Sequence, residues 1–162
     1  MERILNQVTV LRRRNMQAIR GKNTAPELAV RRELHRMGYR FRLHASDLPG
    51  RPDIVFRRRM KAIEVRGCFW HRHSAFECRN AVVPKSRREW WLAKLGSNVE
   101  RDRRNLEAIE ALGWDVLIIW ECEVADAGLG RRLATFLGFP TSVKGNEKGA
   151  NPHRKERQWL SV

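Results

Sequence analysis

Apolar and polar positions along the chain alternate between a helical and a strand-like period. Thr24-Ala25-Pro26-Glu27 has the form of a capping box with Pro inside the first turn, and Leu28, Leu34 and Met37 continue it as a helix. Gly38 supplies the C-terminal stop. Tyr39–Leu43 then alternates aromatic or apolar residues with Arg, the period of two of a strand, and Leu48-Pro49-Gly50-Arg51-Pro52 is a turn. Asp53–Phe56 and Lys61–Arg66 are predicted as two short strands joined by Arg57-Arg58-Arg59. Residues 67–86 mix Gly, His, Cys and Pro and predict irregular structure. Helices are predicted over 87–95 and 98–112, the second stopped by Gly113. Asp115–Trp120 is almost wholly apolar, the pattern of a strand buried on both faces and paired in parallel through a helical crossover. A last helix over 129–138 precedes a Gly/Pro/Lys-rich tail. The order helix, strands, helix, strand, helix predicts one compact α/β domain over 23–138. It is flanked by a basic arm over 1–22 and a tail over 139–162 that is expected to be flexible.

Composition narrows the class. A chain of 162 residues with 42% hydrophobic content can bury a core, which argues against wholesale disorder. No run approaches the roughly 18–20 consecutive apolar residues that span a bilayer. The opening MERILNQVTVLRRR has no apolar core followed by a small-residue cleavage site, so the expected location is cytoplasmic. Thirty-three Lys and Arg against 18 Asp and Glu leave a net charge of +15, which calls for a polyanionic partner. Membrane surfaces are met with Lys-rich amphipathic helices. Here Arg dominates and is spread along the chain, which favours nucleic acid. Three cysteines, an odd number, argue against a disulfide framework and toward metal ligation or buried thiols.

The candidate chemistry lies between residues 53 and 78. Asp53 starts a strand, and Glu64-Val65-Arg66 lies near the end of the next, with Glu64 and Arg66 on one face. Paired strands would bring the two carboxylates and the guanidinium together, as a magnesium-dependent phosphodiester hydrolase requires. The spacing Pro-Asp then Glu-x-Arg resembles the PD-(D/E)xK nucleases, with Arg replacing Lys. A turn aspartate with surface charges on an edge strand is the competing reading. Cys68, His73 and Cys78, with Cys122 after the apolar strand, make a potential tetrahedral zinc set, against buried thiols and a surface histidine. His71 is a candidate general acid or base, against a solvated loop histidine. Phe69-Trp70 and Trp90-Trp91 are adjacent pairs that one core cannot easily bury. They suit stacking on or wedging between bases, the alternative being core residues and their half-buried neighbours.

A family resemblance runs in order from about residue 12 to 138. Its blocks are Asn15-Met16-Gln17-Ala18-Ile19, Thr24-x-Pro26-Glu27, Leu48 to Asp53, Gly67-Cys68-Phe69-Trp70-His71-Arg72-His73, Trp91, Asn98 to Asn105, and Gly113-Trp114 through Ile119-Trp120-Glu121-Cys122. Together they resemble the very short patch repair (Vsr) endonucleases. The resemblance implies a restriction-endonuclease-like compact mixed sheet flanked by helices, with a structural zinc site. The implied activity is nicking of double-stranded DNA 5′ to the thymine of a T·G mismatch left by 5-methylcytosine deamination, alongside a cytosine-5 DNA methyltransferase. A monomer is expected. By position, Asp53 and the Val65 backbone carbonyl would hold magnesium, His71 would be the catalytic histidine, and Glu27 the acid that orients it, besides its capping role. Phe69, Trp70 and Trp91 would wedge into the duplex from the major groove. The arm with Met16 would approach from the minor groove, and Lys94 and Asn98 would contact the recognition bases. The chain departs from the family pattern in two places. Arg66 stands where that pattern has a catalytic histidine, and Glu64 where it has an apolar residue, so that both become candidate catalytic residues nearer to the parent motif. Ala75 stands where the third zinc ligand is expected, so Cys78 would have to reach back. The rival functions are a related site- or lesion-specific nuclease and a zinc-braced DNA-binding module without catalysis.

Overall fold

The computed structural model describes residues 21–75 and 78–140. Most of the basic arm, with Met16, and most of the tail lie outside them. Helix α1 (Ala25–Arg36) begins as the sequence predicts: Thr24 caps it, its side chain accepting from the Glu27 N–H, with Pro26 in the first turn. Strand β1 (Arg42–Leu43) is shorter than expected. Tyr39 and Phe41 leave the ladder because their rings pack edge-on against Phe56, and the Tyr39 hydroxyl donates to the Gly138 carbonyl at 2.5 Å. Strands β2 (Ile54–Phe56) and β3 (Lys61–Arg66) follow, joined by a 3₁₀ turn over Arg57–Arg59.

Helix α2 (Arg88–Ala111) corrects the expectation of two helices; it continues unbroken through Gly96 and Ser97. A helical glycine costs about 1 kcal/mol against Ala. Burial of Leu95 and Asn98 on either side holds the backbone in place, and the Ser97 hydroxyl is absorbed by the Lys94 carbonyl at 2.8 Å. Strand β4 (Asp115–Trp120) and helix α3 (Leu129–Leu137) complete the described fold.

The sheet order is β1-β2-β3-β4, antiparallel across the first three strands and parallel between β3 and β4. The parallel pair is joined through α2, as the apolar pattern of β4 predicts, but β4 is an edge strand of the described sheet and only its Ile119 is buried, which corrects the expectation of burial on both faces. Alternation then sorts side chains to two faces. Ile54, Phe56, Ile63 and Ile119 meet Val30 and Leu34 of α1 and Leu129, Leu133 and Leu137 of α3. Val55 and Ala62 meet Ala45, Leu48, Trp114 and Ile109, the last from α2. The result is a mixed sheet between helices, and fully burying each large aliphatic side chain contributes about 1.5–3 kcal/mol. Among the described residues, no helix is long and apolar enough to cross a membrane.

Candidate active site

The turn before β2 sets the position of Asp53. Gly50 has φ +73°, and a Cβ there would lie 3.0 Å from the Asn105 Cβ, so glycine lets the turn close against α2. Asp53 then faces β3, where its Oδ2 accepts the Val65 N–H at 2.8 Å. The N–H and C=O of one strand residue point to the same side. The Val65 carbonyl therefore faces the same edge as the N–H that Asp53 receives. Burial pushes the Asp53 carboxyl up to about 6; the Val65 N–H opposes that rise, and the charges of Glu27 and Glu64 add to it.

A cleft of about 670 Å³ opens over this point, lined among others by Asp53, Glu64, Arg66, His71 and Asp102. Glu64 and Arg66 thus share the cleft with Asp53, as the period of two predicts. They also bond each other, with Arg66 Nε and Nη2 donating to Glu64 Oε2 at 2.9 and 2.6 Å. Their side chains are 15% and 12% exposed, which makes this a sheltered pair rather than a solvated one. The pair faces Asp53's cleft, and β3 lies between β2 and β4, so the competing reading of surface charges on an edge strand does not hold.

His71 is held by Asp102 of α2, whose Oδ2 accepts from Nδ1. With the Nδ1 proton committed to a carboxylate, a neutral imidazole keeps Nε2 as its free acceptor. Burial alone would raise the Asp102 carboxyl, but the bonds from His71 and Arg101 prevail and hold it below the usual carboxylate range. This replaces the expectation that Glu27 orients His71. Glu27 is 3% exposed and engaged elsewhere: Oε1 accepts from the Thr24 hydroxyl, and Oε2 from the Asn23 N–H at 2.9 Å and Arg31 Nη2 at 2.7 Å. Asn98 also differs from the base-contacting role implied for it. It is buried, and its Nδ2 donates to the Trp70 carbonyl at 3.1 Å, bracing the aromatic segment. Lys94 is exposed on the same helix.

Phe69, Trp70 and Trp91 form a triangle with centroid separations of 5.1, 5.2 and 6.2 Å. All three are half-buried and outside both core clusters. Trp90 is 46% exposed under the Arg87 guanidinium, so it is not core.

Cys68, His73, Cys78 and Cys122 converge, with donor atoms all within 4.8 Å of one another. Cys78 does reach back to the position that Ala75 cannot fill. The His73 ring stacks on Trp120 at 4.3 Å, and its backbone N–H donates to the Cys68 carbonyl at 2.9 Å. Burial pushes the Cys68 thiol up to about 12 and raises Cys122 as well. Three adjacent thiols and an imidazole repel negative charge unless a soft cation joins them, so the donor set fits zinc.

Sequence reasoning missed Arg31, His44 and Asp102. Arg31 and His44 lie beside Glu27 and Asp53. A signal for Asp102 was present: Leu95, Asn98, Asp102, Asn105 and Ile109 form one helical stripe with a polar centre.

A carboxylate seated against a strand end, facing a carboxylate-held histidine in a cleft of a strongly basic chain, defines a hydrolase of polyanions. Residues 7–77 match the family model described as DNA mismatch endonuclease Vsr. The type II nicking enzyme V.XorIIP of Xanthomonas oryzae pv. oryzae is 51% identical over 127 residues, covering 78% of this chain and 91% of that one. The DNA mismatch endonuclease Vsr of Escherichia coli is 42% identical over 132 residues, covering 78% and 83%. The type II nicking enzyme V.NaeI of Lentzea aerocolonigenes is 42% identical over 143 residues, covering 82% and 83%. The chain belongs to the Vsr family of endonucleases.

Proposed function

We propose that this protein nicks double-stranded DNA 5′ to the thymine of a T·G mismatch, using magnesium for catalysis and zinc for structure. The observation that carries the proposal is the joint presence in one cleft of Asp53, the Val65 backbone edge and the Asp102-held His71. The mixed sheet with its carboxylate at the start of β2 is then a restriction-endonuclease-like core. Asp53 and the Val65 carbonyl would hold magnesium, which would supply Lewis acidity there. His71 takes a proton from the attacking water at Nε2, and Asp102 keeps the ring in that tautomer. Arg66, steadied by Glu64, faces the charge that develops on phosphorus. The zinc ligands tie the turn after β3 to the end of β4. The aromatic triangle wedges beside the mismatch, where weak pairing makes unstacking cheapest. A cytosine-5 methyltransferase is the functional partner, the chain acting as a monomer in the cytoplasm.

A nicking assay on T·G, G·C and unmodified duplexes tests this directly. Wild type is expected to nick T·G strongly and Asp53→Ala none of the three. Equal nicking of a matched site would favour a site-specific nuclease, and tight binding without nicking a non-catalytic module. Replacing Phe69 and Trp70 together with Ala is expected to cut T·G preference at least about tenfold while leaving the steep salt dependence of binding intact. Unchanged discrimination would remove the wedge.

Single-turnover rates separate the supporting residues. Asp102→Asn is expected to slow nicking about 100-fold or more with binding unchanged, because the imidazole loses its tautomer lock. Arg66→Ala is expected to lose about 10- to 100-fold in the chemical step. Glu64→Gln, which leaves the arginine in place, is expected to lose only a few-fold. A wild-type rate for Arg66→Ala would return the pair to a purely structural role.

A further inference from the structure

The turn that delivers Asp53 carries a strained residue that the mechanism above does not use. Leu48-Pro49-Gly50-Arg51 closes on itself, the Arg51 N–H donating to the Leu48 carbonyl at 3.1 Å, and Gly50 has φ +73°. Pro then Gly at the centre is the pair that a type II turn demands. The turn is therefore complete without any special conformation at its last residue. Arg51 nevertheless has φ +54°, in the left-handed region where a Cβ is crowded by its own backbone. The next residue is Pro52, whose ring steers its predecessor toward extended backbone. Glycine at position 51 would follow the same path with less strain.

Both ends of this strained step are clamped. Pro52 is fully buried, and Asp53 Oδ2 takes the Val65 N–H. The Arg51 backbone is thus fixed relative to Asp53, and strain held in this way at a cleft points to a use for the side chain. That side chain is exposed, and Arg51 lines the cleft. Two other arginines line it as well. Arg66 is engaged by Glu64 and Arg101 by Asp102. The Arg51 guanidinium has no hydrogen bond or ion pair among the described residues, so its paired N–H donors are open to an anion. A phosphodiester, with two oxygens in one plane, matches that fork.

We propose that Arg51 binds the phosphodiester next to the scissile one and so fixes the nicked strand over Asp53. The proposal rests on the reading of the Asp53 cleft as the nicking centre. The neighbouring phosphate is the fitting ligand because Asp53, His71 and Arg66 already surround the scissile position. The Arg51 Cα stands two residues from that of Asp53, at most about 7 Å away. The strained backbone sets this offset, and Pro52 keeps it rigid.

Duplex binding by the zinc-loaded full chain, with Asp53→Asn blocking cleavage, tests the assignment. A T·G duplex and its matched counterpart are used, each with one uncharged methylphosphonate walked along the nicked strand. Adding Arg51→Gln is expected to weaken binding about tenfold and to lower the salt slope by about 1. One methylphosphonate, next to the scissile position, should weaken binding similarly when Arg51 is present and have no further effect in Arg51→Gln. Arg51→Lys should recover part of the affinity, keeping the charge without the fork. Arg51→Gly should bind as weakly as Arg51→Gln yet melt no lower than the parent, because relief of the left-handed strain offsets the freedom glycine gains in the unfolded chain. Additive losses at every methylphosphonate position would overturn the proposal. So would an Arg51→Gly protein that melts several degrees lower, since the arginine would then be there for the fold. Equal binding of the two duplexes would count against the mismatch reading alone, because the phosphate coupling is read on either. Nicking that persists in Asp53→Asn would instead refute the assignment of the cleft.

Discussion

Asp53→Asn is expected to abolish nicking and, in magnesium-free, zinc-replete buffer, to make the protein more stable than wild type at pH 8 by about 2–3 kcal/mol. Burial pushes the folded-state carboxyl up to about 6 from an ordinary 3.8. A carboxyl raised in the folded state favours folding while it is protonated. That contribution is fully present below the unfolded value and is lost as pH rises through the folded one. Wild type should therefore lose stability between about pH 4 and pH 6–7 through this group, at roughly 1.4 kcal/mol per pH unit. Asparagine carries no charge at any of these pH values and still offers an oxygen to the Val65 N–H, so the variant escapes the loss. Urea unfolding at pH 4, 6 and 8 checks this, the advantage shrinking toward zero at pH 4. Added magnesium should narrow the gap at pH 8 by stabilising wild type alone. An advantage independent of pH would show that something other than the charge is responsible, and residual nicking would remove Asp53 from the chemistry.

Zinc loss is expected to have the largest effect on stability. Each chain should carry about one tightly held zinc, and stripping it with a strong chelator should lower the melting temperature by about 20 °C or more. The four donors come from the turn after β3, the irregular segment and the residues just past β4, so the ion would cross-link the irregular segment to the ends of two paired strands. Cys68 is fully buried with its thiol pushed up to about 12, and burial raises Cys122 as well, so these thiols resist ionising without a metal. Binding must then expel up to three protons. Affinity should fall as pH falls, by as much as about 1000-fold per unit where all three thiols are protonated. Cys78→Ala is the discriminating variant, because Cys78 occupies the role that Ala75 cannot. It should weaken zinc by about 100-fold or more. Undiminished affinity would assign the fourth ligand elsewhere, and a zinc-free protein with a native melting curve would remove the site altogether.

How far local pattern carries is clearest in α1 and β4. Thr24 and Pro26 start α1 where the capping box predicts, and Asp115–Trp120 pairs in parallel with β3 as its apolar run implies. Both outcomes follow from neighbours in sequence: a cap bond spans three residues, and an apolar run of strand length implies a parallel partner reached through a helix. Gly96-Ser97 marks the limit. A local helix breaker was overruled because Leu95 and Asn98 are buried against other parts of the chain.

The site divides in the same way. Asp53, Glu64, Arg66, His71 and the four Cys and His donors were legible because their residue types are costly to bury and their spacings repeat a known pattern. Which remote groups bond was not legible. That His71 meets Asp102, 31 residues away, depends on how α2 crosses the sheet, and no spacing rule encodes a crossing angle. Glu27 could be read from sequence as a cap or as a partner for His71. Arg31 and Asn23 claim it, four residues on either side within α1 and its cap, a local pairing that helical spacing could have shown. The chain's own letters determined the mixed α/β order, the cation-rich surface and the inventory of reactive groups. Tertiary structure alone decided their long-range pairings, because a hydrogen bond or an ion pair is set by distance in space, and distance between remote residues exists only once the core has closed.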